Sequence, residues 1–142
     1  MPFISITRLR IRSWLYFPAF IIDAVRSARQ AQAAPGNLAA KVLRDGRNVW
    51  WTSTAWDSEA SMRQFMTTRP HGPAMRKLMK WCDEASIVNW TQPEATLPTW
   101  PEAHRRMQSE GRPSKVNHPS PNHVAGVITP PTTNPRAETA FR

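Results

Sequence analysis

Between Arg47 and Trp56 the chain reads RNVWWTSTAW, with three tryptophans in seven residues and small polar residues between them. In an extended strand, alternate side chains point to opposite faces. Val49, Trp51, Ser53 and Ala55 then form one set, whose small members let a helix pack close. Trp50, Thr52, Thr54 and Trp56 form the other, mixing indoles with hydroxyls as the wall of a cavity for a polarised aromatic ligand would. The plainer alternative is that all three indoles pack a core or an interface. His71 lies in RPHGPAM, where prolines interrupt a helical pattern and would leave its ring at a cleft. A neutral imidazole there suits a general base or an axial ligand to haem iron. Asn89 offers an amide for a substrate oxygen or an oxyanion. Arg8 and Arg10 share one face of the first strand, so Arg8 either reaches into the cavity to hold an anionic group or stays at the surface.

Other chemistries are missing from the sequence. It has no G-x-G-x-x-G, P-loop, G-x-S-x-G or H-E-x-x-H pattern. Asp83-Glu84, expected at a helix end, does not suggest a carboxylate metal site. What the residues do offer is a dry aromatic cavity, a base such as His71, and donors for an anion.

The chain has 142 residues and a formal net charge of +9. The arginines and lysines are spread along it, which describes a solvated surface better than a nucleic-acid stripe; nucleic acid is not an expected partner. One cysteine, Cys82, rules out an internal disulfide and fits a reduced, cytoplasmic setting. LRIRSWLYFPAFIIDAV has arginines before an apolar run, but Asp23, Arg26 and Arg29 make it a poor signal peptide and a poor membrane span.

The elements that must position these residues follow from periodicity. Phe3 to Arg12 reads as a strand. Ser13 caps a helix whose Phe17, Phe20, Ile21, Ala24, Val25 and Ala28 recur at three- and four-residue spacing, with Pro18 in its first turn and Pro35-Gly36 at its end. Leu38 to Leu43 is a second strand, Asp45-Gly46 a tight turn, and Val49 to Trp56 a third strand. A second helix starts at Asp57 or Ser58, breaks at Pro70 and Pro73, and resumes through Met75, Leu78, Met79 and Cys82. Ile87 to Trp90 is a fourth strand. This order gives an α+β, ferredoxin-like βαββαβ domain over 1–92, an antiparallel sheet with both helices on one face. The open face is expected to pair with a second copy. A C-terminal extension spans 93–118, with a short helix from Thr99-Trp100-Pro101-Glu102 that Trp100 and Met107 dock. Nine of the 14 prolines lie from Pro93 onward, and a disordered Pro-rich tail is expected over 119–142.

MPFISITRLRIRSW, STAWDSEASMRQF, HGPAMRKLMKWCDEASIVNW and AHRRMQSEGRPSKV resemble a family of small bacterial proteins of the DUF3291 type. That family is akin to antibiotic-biosynthesis monooxygenases and spheroidene monooxygenase, within the dimeric α+β barrel superfamily. The resemblance spans roughly residues 1–120 and implies the fold, a homodimer, and a ligand held between sheet and helices in each half. It implies monooxygenase-like chemistry on a small apolar or aromatic molecule, in a superfamily that hosts many activities; with no metal or flavin motif in the sequence, dioxygen would then be activated by the substrate itself or by a bound haem, so the implied cofactor is none or haem. A non-catalytic ligand-binding or structural dimer is the alternative, and a basic accessory protein for an anionic partner a third reading.

Overall fold

The computed structural model describes residues 1–67, 71–131 and 138–141, without the side chains of 71–75 and 141. Among the described residues the strands are β1 (Phe3–Ile11), β2 (Asn37–Arg44), β3 (Val49–Trp56), β4 (Cys82–Thr91) and the short edge strands β5 (Arg112–Pro113) and β6 (Glu138–Phe141). They form one sheet in the order β5-β4-β1-β3-β2-β6, every neighbouring pair antiparallel. With α1 (Phe17–Ala33), α2 (Glu59–Thr67) and α3 (His71–Trp81) the first four strands make the ferredoxin-like α+β fold. Among the described residues no helix is long and apolar enough to cross a membrane.

Local signals place most boundaries. Ser13 Oγ accepts from the Leu15 amide and caps a short 3-10 turn, Trp14–Tyr16, that leads into α1. Gly36 takes φ +87°, a left-handed conformation costly for other residues. A Cβ there would stand 2.5 Å from both Asp57 Oδ1 and Ser61 Oγ, so the turn out of α1 fits tightly against the entry to α2. The Asp45-Gly46 turn forms as expected, but the left-handed residues are Arg47 and Asn48, at φ 59° and 68°. Ser58 Oγ accepts from the Ser61 amide and starts α2.

The structure differs from the sequence reading in three places. Cys82 and Asp83-Glu84, read as the end of a helix, open β4, which is ten residues long. Met75, Leu78, Met79 and Cys82 keep helical spacing across the junction, so periodicity runs past the true end of α3 at Trp81. The sheet face expected to stay open for a second copy is closed by the chain's own α4 (Trp100–Glu110). Thr99 Oγ1 caps that helix at the Glu102 amide, and Trp100, Ala103 and Met107 pack onto Ile4, Ile6, Trp51 and Val88. Lastly, the stretch expected to be disordered from Pro119 contains elements. β5 (Arg112–Pro113) is followed by α5 (Pro121–Ala125) and β6 (Glu138–Phe141), and β6 pairs with β2. Polar contacts to buried partners hold that segment where apolar periodicity does not announce it: Ser120 Oγ donates to Glu84 Oε2 at 2.7 Å, and Trp100 Nε1 to Glu138 Oε2 at 2.7 Å.

Candidate functional site

Residues opposite one another in adjacent antiparallel strands share a face. On the face covered by α1, α2 and α3, Ser5 lies between Thr54 and Asn89, and Thr7 between Thr52 and Ile87. Apart from Ile87, these residues form a polar belt across the middle of the face. An apolar cluster closes each end. At one end Trp50, Leu9 and Ile11 pack with Phe20 of α1 and Leu78 and Trp81 of α3. At the other, Phe3 and Trp56 pack with Met62, Phe65 and Met66 of α2. Thus Trp50, Thr52, Thr54, Trp56 and Asn89, singled out in the sequence, do share one face.

Their roles diverge within it. Trp56 is fully buried, its ring 5.2 Å from that of Phe65. Its indole N–H donates to Thr54 Oγ1 at 2.9 Å, and Thr54 Oγ1 in turn donates to the Ser5 carbonyl at 3.3 Å. Both side chains are therefore occupied in holding β1 to β3. Trp50 is half-buried between Phe20, at 5.2 Å, and the Arg44 guanidinium, 5.5 Å above its ring. Its Nε1 is buried and makes no hydrogen bond, and the same holds for Asn89 Oδ1 and for Asn37 Nδ2 on β2. A buried polar atom costs about 1–3 kcal/mol unless a ligand or water meets it; off the belt, Arg8 Nε, Trp51 Nε1, Ser53 Oγ and Asp83 Oδ1 are also buried without a partner. Thr7, Thr52 and Asn89 are half-buried, the least sealed part of the belt. His71 opens α3, which packs against α1 and β4; its side chain lies outside the described residues.

Arg8 stands apart from this group. It pairs with Trp51 and Ser86 across the strands and points to the opposite face, the one under α4. It is 1% exposed. Arg8 Nη1 donates to Glu84 Oε1 at 2.6 Å, and Nη2 to Thr129 Oγ1 at 2.7 Å. Glu84 completes the cluster through Ser120, while Arg10 Nη1 reaches Asp83 Oδ2 at 2.7 Å. Burial would raise the Glu84 pKa, but the hydrogen bonds from Arg8 and Ser120 and the two arginine charges outweigh it and hold the carboxyl below its usual value. Asp83 is pushed up, first by burial and then by Glu84, against the pull of Arg10. A cavity of about 70 Å³ beside this cluster is lined by Arg8, Glu84, Ser86, Met107 and His123, among others, room for little more than water. The sequence reading missed Glu84, Ser120 and Thr129. The Glu84/Ser86/Val88 alternation was the available signal, masked by the helical spacing that precedes it.

Cys82 is fully buried at the Ile11 end of the belt face. Burial, with a smaller contribution from Asp83, pushes its thiol up to about 12, which leaves it inert as a nucleophile. Among the described residues no group of three or more His, Cys, Asp or Glu side chains is placed to hold a metal ion. His104 is taken up by packing, its Nε2 2.8 Å from the Ile128 carbonyl and its ring edge-on to Trp51.

Comparison with known proteins bears on the part of the chain that builds this face. No curated protein matches the chain. Its fold is shared with several solved structures. SnoaB, a cofactor-independent oxygenase from Streptomyces nogalater, superimposes with a TM-score of 0.51 at 21% identity over 68% of this chain and 97% of SnoaB. A Nitrosomonas europaea protein named as a candidate antibiotic biosynthesis monooxygenase gives 0.59 at 14% identity, over 67% and 93% of the two chains. A conserved Methanosarcina mazei protein gives 0.58 at 12%, over 65% and 93%. At these identities the likeness is one of fold. Residues 19–77, from α1 through β2, β3 and α2 into α3, match the family model described as antibiotic biosynthesis monooxygenase.

Proposed function

We propose that the chain is a monooxygenase-like enzyme that holds a flat, apolar or aromatic small molecule between the belt face of its sheet and α1–α3. The observation that carries this reading is the set of buried, unpartnered polar atoms on that face, Trp50 Nε1 and Asn89 Oδ1 with Asn37 Nδ2 beyond them, next to the half-buried hydroxyls of Thr7 and Thr52. They offer an indole donor, an amide acceptor and hydroxyls, inside a wall of indole and phenyl rings. The match of residues 19–77 to the monooxygenase model supports the same reading, as does the fold shared with a cofactor-independent oxygenase.

In a cofactor-free reaction the substrate is the reductant. The anion of an electron-rich phenol or enol reduces dioxygen; a substrate CH2 becomes C=O with one of the oxygen atoms, and the two hydrogens it loses leave with the other as water. The protein's part is to orient the ring, exclude water and take the proton. No side chain described on the belt itself is a general base, so His71 at the start of α3 is the residue assigned that task. It is also the residue that would ligate iron if haem were bound. The homodimer and kinship with the DUF3291 proteins belong to this proposal as well.

A panel of polycyclic phenols tested by tryptophan quenching and oxygen uptake examines the reading. Asn89→Ala and Thr52→Val should each weaken binding about tenfold, the effect of one lost buried hydrogen bond, with unchanged melting temperature. His71→Ala should keep binding and lose turnover. If no phenol quenches the fluorescence, or both belt variants bind like the parent, the belt is not the site. A hemin titration separates the cofactors: a saturable Soret band lost in His71→Ala would assign haem chemistry. The non-catalytic alternative is favoured by one observation, that the described titratable groups with shifted pKa values all lie off the belt; binding without oxygen uptake by any substrate would establish it.

A further inference from the structure

The outward side of α1 and of the turn before it carries large apolar side chains that none of the described residues covers. Trp14 is 73% exposed, Leu15 67%, Ile22 53%, Val25 45% and Ile21 41%. At 3.6 residues per turn, Pro18, Ile22, Val25 and Arg29 run along one ridge, with Ile21 beside it. The inner side of the same helix is spent on the core through Phe20 and Ala31, so the outer apolar residues are not needed for packing the domain.

The charge around this ridge has one sign. From Arg12 to Ala33 the bases are Arg12, Arg26 and Arg29, all exposed, and the lone acid is Asp23. Asp23 is largely covered and already paired with Lys77 of α3 at 3.2 Å. The neighbouring α3 adds Arg76, Lys77 and Lys80 and contains no acid. Arg12 is held in place beside Trp14: its Nε donates to the Lys80 carbonyl at 2.7 Å, and its guanidinium lies 5.0 Å over the Tyr16 ring.

We propose that this face docks on an anionic lipid surface. An indole at the level of the headgroups, isoleucine, leucine and valine at the acyl boundary, and arginines beside lipid phosphates are what a helix lying in a membrane interface presents. A second copy of the chain is a worse fit, because two such faces would bring like charges together around a small apolar patch. The proposal does not depend on the catalytic reading of the belt.

The test is co-sedimentation of the full chain with vesicles of phosphatidylcholine containing about a third phosphatidylglycerol, and with vesicles of phosphatidylcholine alone. The expected result is binding to the anionic vesicles that weakens with added salt, and little binding to the neutral ones. Ile22→Glu should lower the partition coefficient at least about tenfold, since it removes an apolar anchor and adds a like charge. Val124→Glu is the matched control. Val124 is 74% exposed on α5, the charge change is the same, and binding should stay at the parent level. Both variants should melt with the parent. No sedimentation with anionic vesicles overturns the proposal, and so does equal loss in the two variants, which would indicate attraction by net charge alone. A dimer that Ile22→Glu dissociates, without lipid binding, would make the face a self-association surface instead.

Discussion

Replacing Glu84 by leucine should cost about 3–5 kcal/mol, because it strands the Arg8 guanidinium in the interior without its counter-charge. Arg8 is 1% exposed, and its other partners are neutral, the Thr129 hydroxyl and the Trp51 ring 5.8 Å from its guanidinium. Arg8→Met combined with Glu84→Leu should recover most of the loss, since two apolar side chains of similar bulk remove the desolvation cost of both charges. Denaturant midpoints of the parent, the two single variants and the double variant give the coupling directly. A double variant no more stable than the worse single one would mean that the pair holds the C-terminal segment in place by more than its charge. The same residues set the acid response. Glu84 has its folded pKa depressed, so its contribution is present above its unfolded value and lost as pH falls through the lower folded one. Asp83 is shifted the other way: its folded state prefers the proton, so acid relieves it. Across an acid titration Glu84→Gln should remove stability loss and Asp83→Asn should not.

Ending the chain at Pro98 should have a still larger effect. It takes away Trp100, Ala103 and Met107, and with them the cover over Ile4, Ile6, Trp51 and Val88. It also removes both hydroxyls that satisfy the Arg8–Glu84 pair. Trp100→Ala alone should cost about 3–5 kcal/mol; the truncated chain should aggregate or self-associate. Sedimentation velocity distinguishes the outcomes. A folded monomer would show that α4 is dispensable. A discrete dimer would show that the exposed face accepts a second copy once α4 is gone, which is the pairing the sequence alone suggested for it.

Period-2 and period-3.6 patterning carried far in this chain. β3 runs from Val49 to Trp56 as its alternation implies, α1 ends at the Pro35-Gly36 signal, and the Thr99 cap opens α4. The division of β3 into two sets also held: Trp51 packs under α4 and Trp50 under α1. What escaped was long-range. Nothing in TRLRIR says which way Arg8 faces until β1 is paired with β3 and β4 in a fixed register. Only pairing with a buried arginine makes sense of Glu84 inside a sheet. The last segment was illegible for a related reason. Its anchors are Ser120, Thr129 and Glu138, polar residues that look like any solvated tail until their buried partners are known. Trp56 is the instructive case within the belt. Its position was readable, but that its N–H is already spent on Thr54 was not.

The single thiol sits where α3 hands over to β4, sealed between Ile11 and the aromatic cluster. With its pKa pushed up to about 12, only about one molecule in ten thousand carries a thiolate near pH 8. Alkylating reagents should therefore pass over the native protein and label it during excursions that open this corner. Labelling Cys82 over time, read by mass, becomes a clock for the opening of the helix layer above the belt. A ligand bound beneath that layer should slow the clock in proportion to its occupancy, giving a binding assay that needs neither a chromophore nor a known reaction.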